Sequence, residues 1–195
     1  MEEKWEMNAI IVLHEIYGKN SFIEEECKKY GNLGFEIYCP DFYEGKVFSY
    51  IETDVAYSYF RENVGFDVYH LVWKMIDELS EKYEAIYVIG YSVGATLAWL
   101  CCENPNCNGI IAYYGSRIRD YLYLQPKCLV LLIFAEKDSF DVVSVSETLS
   151  RIPNIEIMNC PAEHGFMDYY SLHYDVCQSA KAENKTLDFI SSCAI

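Results

Sequence analysis

Six short, nearly unbroken apolar runs recur along the chain, and they constrain its fold more than any other feature. They are AIIVLHE (9–15), FEIYCP (35–40), AIYVIG (85–90), GIIAYYG (109–115), CLVLLIFAEKD with its exit loop (128–138) and NIEIMNCP (154–161). A strand covered on both faces has no polar side, so it reads as a continuous apolar run rather than an alternating one. Amphipathic stretches separate the runs. SFIEEECKKYGNLG (21–34) opens on a serine suited to cap a helix and closes on glycine. Residues 52–62 have a weak helical period. Residues 66–82 have a strong one, with Val68, Leu71, Val72, Met75 and Leu79 on one face. VGATLAWLCCE (93–103), VVSVSETLSRI (142–152) and residues 170–191 complete the helical segments. Strand and helix in alternation mean a parallel sheet with helices on both faces. The expected fold is a three-layer α/β/α sandwich on a mainly parallel six-stranded sheet, with residues 1–195 as one domain.

Charge and cysteine content narrow the partners. Thirty acidic residues against 15 basic ones give a formal net charge of −15. Nucleic acid and anionic membranes both need clustered Lys and Arg, so neither is expected as a partner. No apolar run approaches the roughly 18–20 residues that span a bilayer. The N-terminal MEEKWEMNAIIVLHE lacks the basic segment and long apolar stretch of a secretory signal. The nine cysteines are odd in number, scattered, and free of any Cys-x-x-Cys spacing; the densest cluster, CCENPNC (101–107), has no His or Cys pair at zinc spacing elsewhere. They read as reduced thiols serving as small apolar residues, which fits a cytoplasmic location and no metal.

In open parallel sheets, ligands bind beyond the carboxyl ends of the strands, so chemistry is sought in the loops that follow them. After the third run comes Gly90-Tyr91-Ser92-Val93-Gly94, a Gly-x-Ser-x-Gly pattern set between a strand and a helix. That context is the one a nucleophile elbow requires, and it makes Ser92 the candidate nucleophile. A serine needs a base to take its proton. His14 and His70 precede Ser92 and are out of order, and His173 falls inside the expected last helix. His164, in the loop AEHGFMD after the sixth run, follows in the required order. The acid must come from a loop between Ser92 and His164. AEKDSFD offers Asp138 as first choice and Asp141 as second, although Asp141 also suits the cap of the helix at 142. Donors for a developing oxyanion would be the backbone N–H groups of Val93 and Ile16, the latter in LHEIYGKN after the first run.

Four segments together resemble the dienelactone hydrolase family of the α/β-hydrolase superfamily. They are IVLHEIYGKN (11–20), YCPDFYEG (38–45), VIGYSVGATLAW (88–99), and the pair FAEKDSF and AEHGFMD, followed by TLDFI (186–190). The resemblance runs in order over nearly the whole chain. It implies a triad of Ser92, Asp138 and His164, no cofactor, and a modulating role for Glu15 beside the nucleophile. The chain departs from the pattern in three ways. Its elbow carries serine where the best-known members have cysteine, and a serine depends on base assistance as a thiolate does not. The arginine expected just after the catalytic histidine is missing from HGFMDYY, leaving Arg61 and Arg117 as candidates to face the site. The antiparallel edge hairpin of many α/β hydrolases is expected to be absent.

The expected activity is hydrolysis of a small-molecule ester or lactone through an acyl-enzyme, with Tyr43, Tyr91, Tyr114 and Phe166 as candidate pocket walls. The same triad would serve a thioesterase, acyltransferase or peptidase. A non-catalytic member of the fold that binds a small ligand is the alternative of a different class.

Overall fold

The computed structural model describes residues 8–193; the start of the N-terminal stretch read above lies outside them. Strands β1 (Asn8–Leu13), β2 (Glu36–Tyr38), β3 (Ala85–Tyr91), β4 (Gly109–Tyr113), β5 (Leu129–Lys137) and β6 (Ile155–Glu163) form one sheet in the order β2-β1-β3-β4-β5-β6. Every pairing in it is parallel. No antiparallel strand joins it among the described residues. The central strands β1, β3 and β4 are buried along their whole length, as their unbroken apolar runs require.

Helices α1 (Ser21–Asn32), α2 (Thr53–Tyr59), α3 (Tyr69–Ser80), α4 (Val93–Leu100), α5 (Val142–Leu149) and α6 (Val176–Cys193) complete the sandwich. The two faces of the sheet bury separate cores. On one side Val72, Ile76 and Leu79 of α3, Leu97 and Trp99 of α4 and Val145 and Leu149 of α5 pack on Ile11, Val88, Ile110 and Leu132. On the other, Phe22, Ile23 and Tyr30 of α1 and Ala182, Phe189 and Ile190 of α6 pack on Val12, Ile89, Ile111 and Ile133. All eight residues of α4 are buried, which its lack of any polar face predicts. Cys101, Cys102, Cys107 and Cys128 sit inside the first core as small apolar groups. Among the described residues no helix is long and apolar enough to cross a membrane.

Local structure corrects several sequence expectations. Asn20, not Ser21, caps α1: its side chain accepts the Ile23 N–H at 3.1 Å. Leu71 is 61% exposed, and Ile76 takes the buried place on α3, whose buried face is Val72, Ile76 and Leu79 at i, i+4 and i+7; the helix begins only at Tyr69, after a 3-10 turn. The segment 52–62 splits into α2 and a π turn at Phe60–Val64, closed by Gly65. The last helix starts at Val176 rather than 170. The Asp175 carboxylate accepts the Cys177 and Gln178 N–H groups, both at 3.0 Å, and so caps it. His173 therefore lies in a loop, not in a helix.

Candidate active site

The chain runs from β1 outward to β2, then returns to the other side of β1 to lay down β3. Strand order thus reverses between β1 and β3, and the loops leaving those two strands diverge around a crevice. Ser92 leaves β3 into it. Its backbone is at φ 54 and ψ −112, in the positive-φ region that side chains rarely adopt. Such a conformation costs on the order of 1–3 kcal/mol and persists only where the surroundings impose it. Here they do: Ser92 N–H donates to Tyr113 O of β4 at 3.0 Å, and α4 begins at the next residue.

The glycines of the motif allow this packing. A Cβ on Gly90 would stand 2.2 Å from the carbonyl oxygen of Gly94. A Cβ on Gly94 would stand 2.4 Å from that of Leu13, so α4 can rest directly on the end of β1 only without one. Both obstacles are backbone, which cannot move aside as a side chain can.

Asp138 and His164 are brought together by register. The last aligned pair of β5 and β6 is Lys137 with Glu163, so the residues that follow leave neighbouring parallel strands side by side. His164 Nδ1 lies 2.7 Å from Asp138 Oδ2, and His164 Nε2 lies 2.9 Å from Ser92 Oγ. The Asp138 side chain is 3% exposed. Burial alone would raise its pKa, but hydrogen bonds from His164 and from the N–H and hydroxyl of Ser139 outweigh this and hold it below the ordinary value. Asp141 does something else: it caps α5 by accepting the Ser144 N–H at 3.0 Å.

These groups open onto a cavity of about 500 Å³, whose lining includes Ile16 and Val93. The loop carrying Ile16 is clamped from beneath. Buried His14 donates from Nδ1 to Glu15 O at 2.7 Å, while its Nε2 accepts the Phe42 N–H at 3.2 Å. That pattern needs the neutral imidazole, and burial lowers the pKa of His14 accordingly.

Glu15 lines the cavity but has an unexpected neighbour. It pairs with Asp168, a residue the sequence reading did not single out. Both side chains are buried. Asp168 accepts the Tyr50 hydroxyl at 2.5 Å and the Tyr170 N–H at 2.9 Å, donors that favour its charged form. Among the described residues, Asn20 donates weakly to Glu15, at 3.5 Å. Burial first, and the charge of Asp168 second, push Glu15 up to about 8, and burial raises Asp168 too, so the pair resists carrying two charges.

This raised pKa fixes a stability trend. A carboxyl whose folded value lies above its free value of 4.5 contributes stability below that pH and loses it as pH rises through about 8. Glu15→Gln should therefore gain stability relative to wild type as pH climbs across that window, read as a larger difference in melting temperature at pH 9 than at pH 4.

Of the residues expected to wall the pocket, Arg117 does line it. Tyr43, Tyr91, Tyr114 and Phe166 are instead core residues. Tyr91 points to the α1 side of the sheet, stacks on Tyr113 at 4.9 Å and donates to Glu26. Tyr114 lies beneath His164, ring centres 5.0 Å apart, with Phe166 beneath it in turn. Tyr43 packs under His14 and against Tyr59. Arg61 is on the exposed π turn and is not among the lining residues. The walls are Tyr17, Tyr50, Thr53, Asp54 and Tyr57 on one side and Arg117, Arg119 and Lys137 on the other, with His173 also at the lining. His173 is held by Glu163 at 2.6 Å.

The family model for dienelactone hydrolases matches residues 1–194. The chain belongs to the dienelactone hydrolase family. Carboxymethylenebutenolidase 1 of Cupriavidus pinatubonensis is 23% identical to this dienelactone hydrolase homologue over 200 residues, 93% of this chain and 85% of that protein. The uncharacterized protein YczH of Bacillus subtilis is 34% identical over 171 residues, 85% of this chain and 84% of that one. In fold, a Klebsiella pneumoniae protein assigned as a dienelactone hydrolase superposes with a TM-score of 0.75 at 17% identity, covering 96% of this chain and 88% of its own. The chain is thus a dienelactone hydrolase-like member of a hydrolase family, built on the α/β-hydrolase fold.

Proposed function

We propose that this dienelactone hydrolase homologue cleaves ester or lactone bonds of a small molecule through an acyl-enzyme on Ser92. The hydrogen-bonded series Ser92–His164–Asp138 at the mouth of a cavity is the observation that carries this reading. His164 Nε2 takes the Ser92 proton as Oγ attacks the carbonyl carbon. Asp138 holds the imidazole in the tautomer that presents Nε2 as acceptor, and stabilises the imidazolium that results. The N–H groups of Val93 and Ile16 receive the oxyanion. His164 then gives the proton to the departing oxygen. In the second half it activates water, which releases the acid and restores Ser92. In a lactone the leaving oxygen stays tethered to the acyl group, so one product forms rather than two.

Two aspartates in one loop supply the test. Asp138→Asn should lower kcat by about 10⁴-fold, because an amide favours the wrong imidazole tautomer. Asp141→Ala should leave kcat unchanged and cost about 0.5–2 kcal/mol as a lost helix cap. Hydrolysis of short p-nitrophenyl esters and thioesters, with urea denaturation of each variant, reads both. Equal kcat losses at the two positions would contradict the assignment.

A further inference from the structure

The cavity is electrically polarised, because the loop after β6 returns across the sheet to place Asp168 beside Glu15 at the end of β1. Its basic lining groups are Arg117 and Arg119, which follow β4, and Lys137, the last residue of β5, on one side of Ser92. Each has a neighbour on its own side. Arg117 pairs with Asp120 at 2.8 Å, Arg119 donates to Ser116 O and lies over Phe140, and Lys137 adjoins Asp138. The other end is built by the loop after β1, the segment leading into α2, and the loop after β6. It holds Glu15, Asp54 and Asp168, together with His173, whose Nδ1 is paired with Glu163 at 2.6 Å, and no lysine or arginine that lines the cavity. Three tyrosines complete it: Tyr17, Tyr50 and Tyr57. The Tyr17 and Tyr50 rings meet edge to face at 4.8 Å. Their hydroxyls are engaged, by Thr53 at 2.9 Å and by Asp168. What these two offer a ligand is therefore ring surface.

We propose that this end is a specificity subsite for an ammonium group, so that the preferred substrates are esters or lactones bearing a positively charged nitrogen. The inference rests on the hydrolase reading above and names the substrate class of the same site. Two adjacent buried carboxyls cannot both ionise freely, so the pair carries a single negative charge and one proton. A docked cation meets that charge and the negative faces of the tyrosine rings, the two features by which proteins hold quaternary and primary ammonium ions. A substrate carboxylate at the same end would meet Asp168 with no lysine or arginine of that end lining the cavity to offset it. One unused hydrogen-bonding group marks the cavity as built for a polar ligand. Thr96 lines it, is fully buried, and its hydroxyl has no protein partner.

The test compares esters that differ only in charge. On the alcohol side, acetylcholine is set against its neutral isostere 3,3-dimethylbutyl acetate. On the acyl side, the p-nitrophenyl ester of 4-(trimethylammonio)butyrate is set against those of 5,5-dimethylhexanoate and of glutarate. In at least one series the ammonium ester should exceed its neutral counterpart in kcat/KM by about tenfold, mainly through KM. The glutarate monoester should be the poorest. In Glu15→Gln/Asp168→Asn, which removes the charge and leaves a hydrogen-bonding pair that folds without a buried anion, the ratio should fall to about one. Calorimetric binding of butyltrimethylammonium supplies a readout independent of turnover, present in wild type and lost in the double variant. A wild-type ratio near one in both series, or a preference that survives the double variant, would overturn the subsite. If no ester is hydrolysed and butyltrimethylammonium still binds in this way, the hydrolase reading fails and the cation subsite stands.

Discussion

Ser92→Ala should abolish turnover while leaving the protein folded; the expected loss in kcat is about 10⁴-fold or more, because in the proposed mechanism nucleophile and base act as one unit. The reasons are geometric. Oγ lies 2.9 Å from His164 Nε2, and no other hydroxyl is recorded at hydrogen-bond distance from that nitrogen among the described residues. The substitution removes one oxygen atom at a partly exposed position and leaves the backbone of the elbow as it is. Thermal denaturation should therefore be nearly unchanged. His164→Ala should lose a similar amount, and the double variant no more than either alone, as expected of residues that work in series. Activity that persists in Ser92→Ala at a tenth of wild type or above would remove Ser92 from the mechanism.

The second large effect is on the elbow itself. Gly94→Ala should destabilise the fold by about 3 kcal/mol or more, at or beyond the upper end of ordinary overpacking. The new Cβ would lie 2.4 Å from Leu13 O and 2.7 Å from His14 O, both main-chain atoms of β1 and its exit. Relief requires α4 to move off β1. That would separate Val93 from Ile16 and tilt Ser92 away from His164, and a displacement near 1 Å is enough to cost about 10²-fold in rate. Gly31→Ala is the matched control. Gly31 lies in α1, its nearest neighbour to a new Cβ is Ile37 Cγ1 at 3.7 Å, and alanine there should be neutral or stabilising by up to about 1 kcal/mol. Urea midpoints for the pair decide the matter. Similar midpoints would mean that the elbow is not packed as described.

How far these features can be read from the sequence follows from what each depends on. The strands were legible because burial on both faces leaves an unbroken apolar run. Ser92 is nominated by the Gly-x-Ser-x-Gly pattern between a strand and a helix, and Asp138 and His164 by chain order and loop position, in agreement with the family resemblance. Asp168 was not legible. One acid among thirty in a strongly acidic chain carries no local signal, and its partnership with Glu15 exists only because the loop after β6 folds back over the end of β1. Tyr91 could have been placed. Tyr87, Ile89 and Tyr91 share one face of β3 while Ile86 and Val88 share the other. The two-residue period of a strand therefore sends Tyr91 toward α1, away from the crevice. His173 falls outside the last helix because Asp175, two residues later, caps it, and an Asp within a polar stretch gives no distinct start signal. The aromatic wall from the segment preceding and forming α2 is hidden because that segment has at most a weak helical period, since a 3-10 turn, a short α-helix and a π turn follow one another there.

The polarity of the cavity ties these observations to substrate choice. Family membership gives the fold and a hydrolase; the individual substitutions decide what it accepts. Where the resemblance leads one to look for an arginine after the catalytic histidine, this chain has Asp168 among HGFMDYY, buried against Glu15.

The central claim, that Ser92 is a nucleophile activated by His164, is tested most directly by covalent labelling. Wild-type protein incubated with a fluorophosphonate should gain one adduct by intact mass, mapped by peptide sequencing to Ser92, and Ser92→Ala should gain none. Equal labelling of wild type and Ser92→Ala, or an adduct mapped to another residue, would contradict the account.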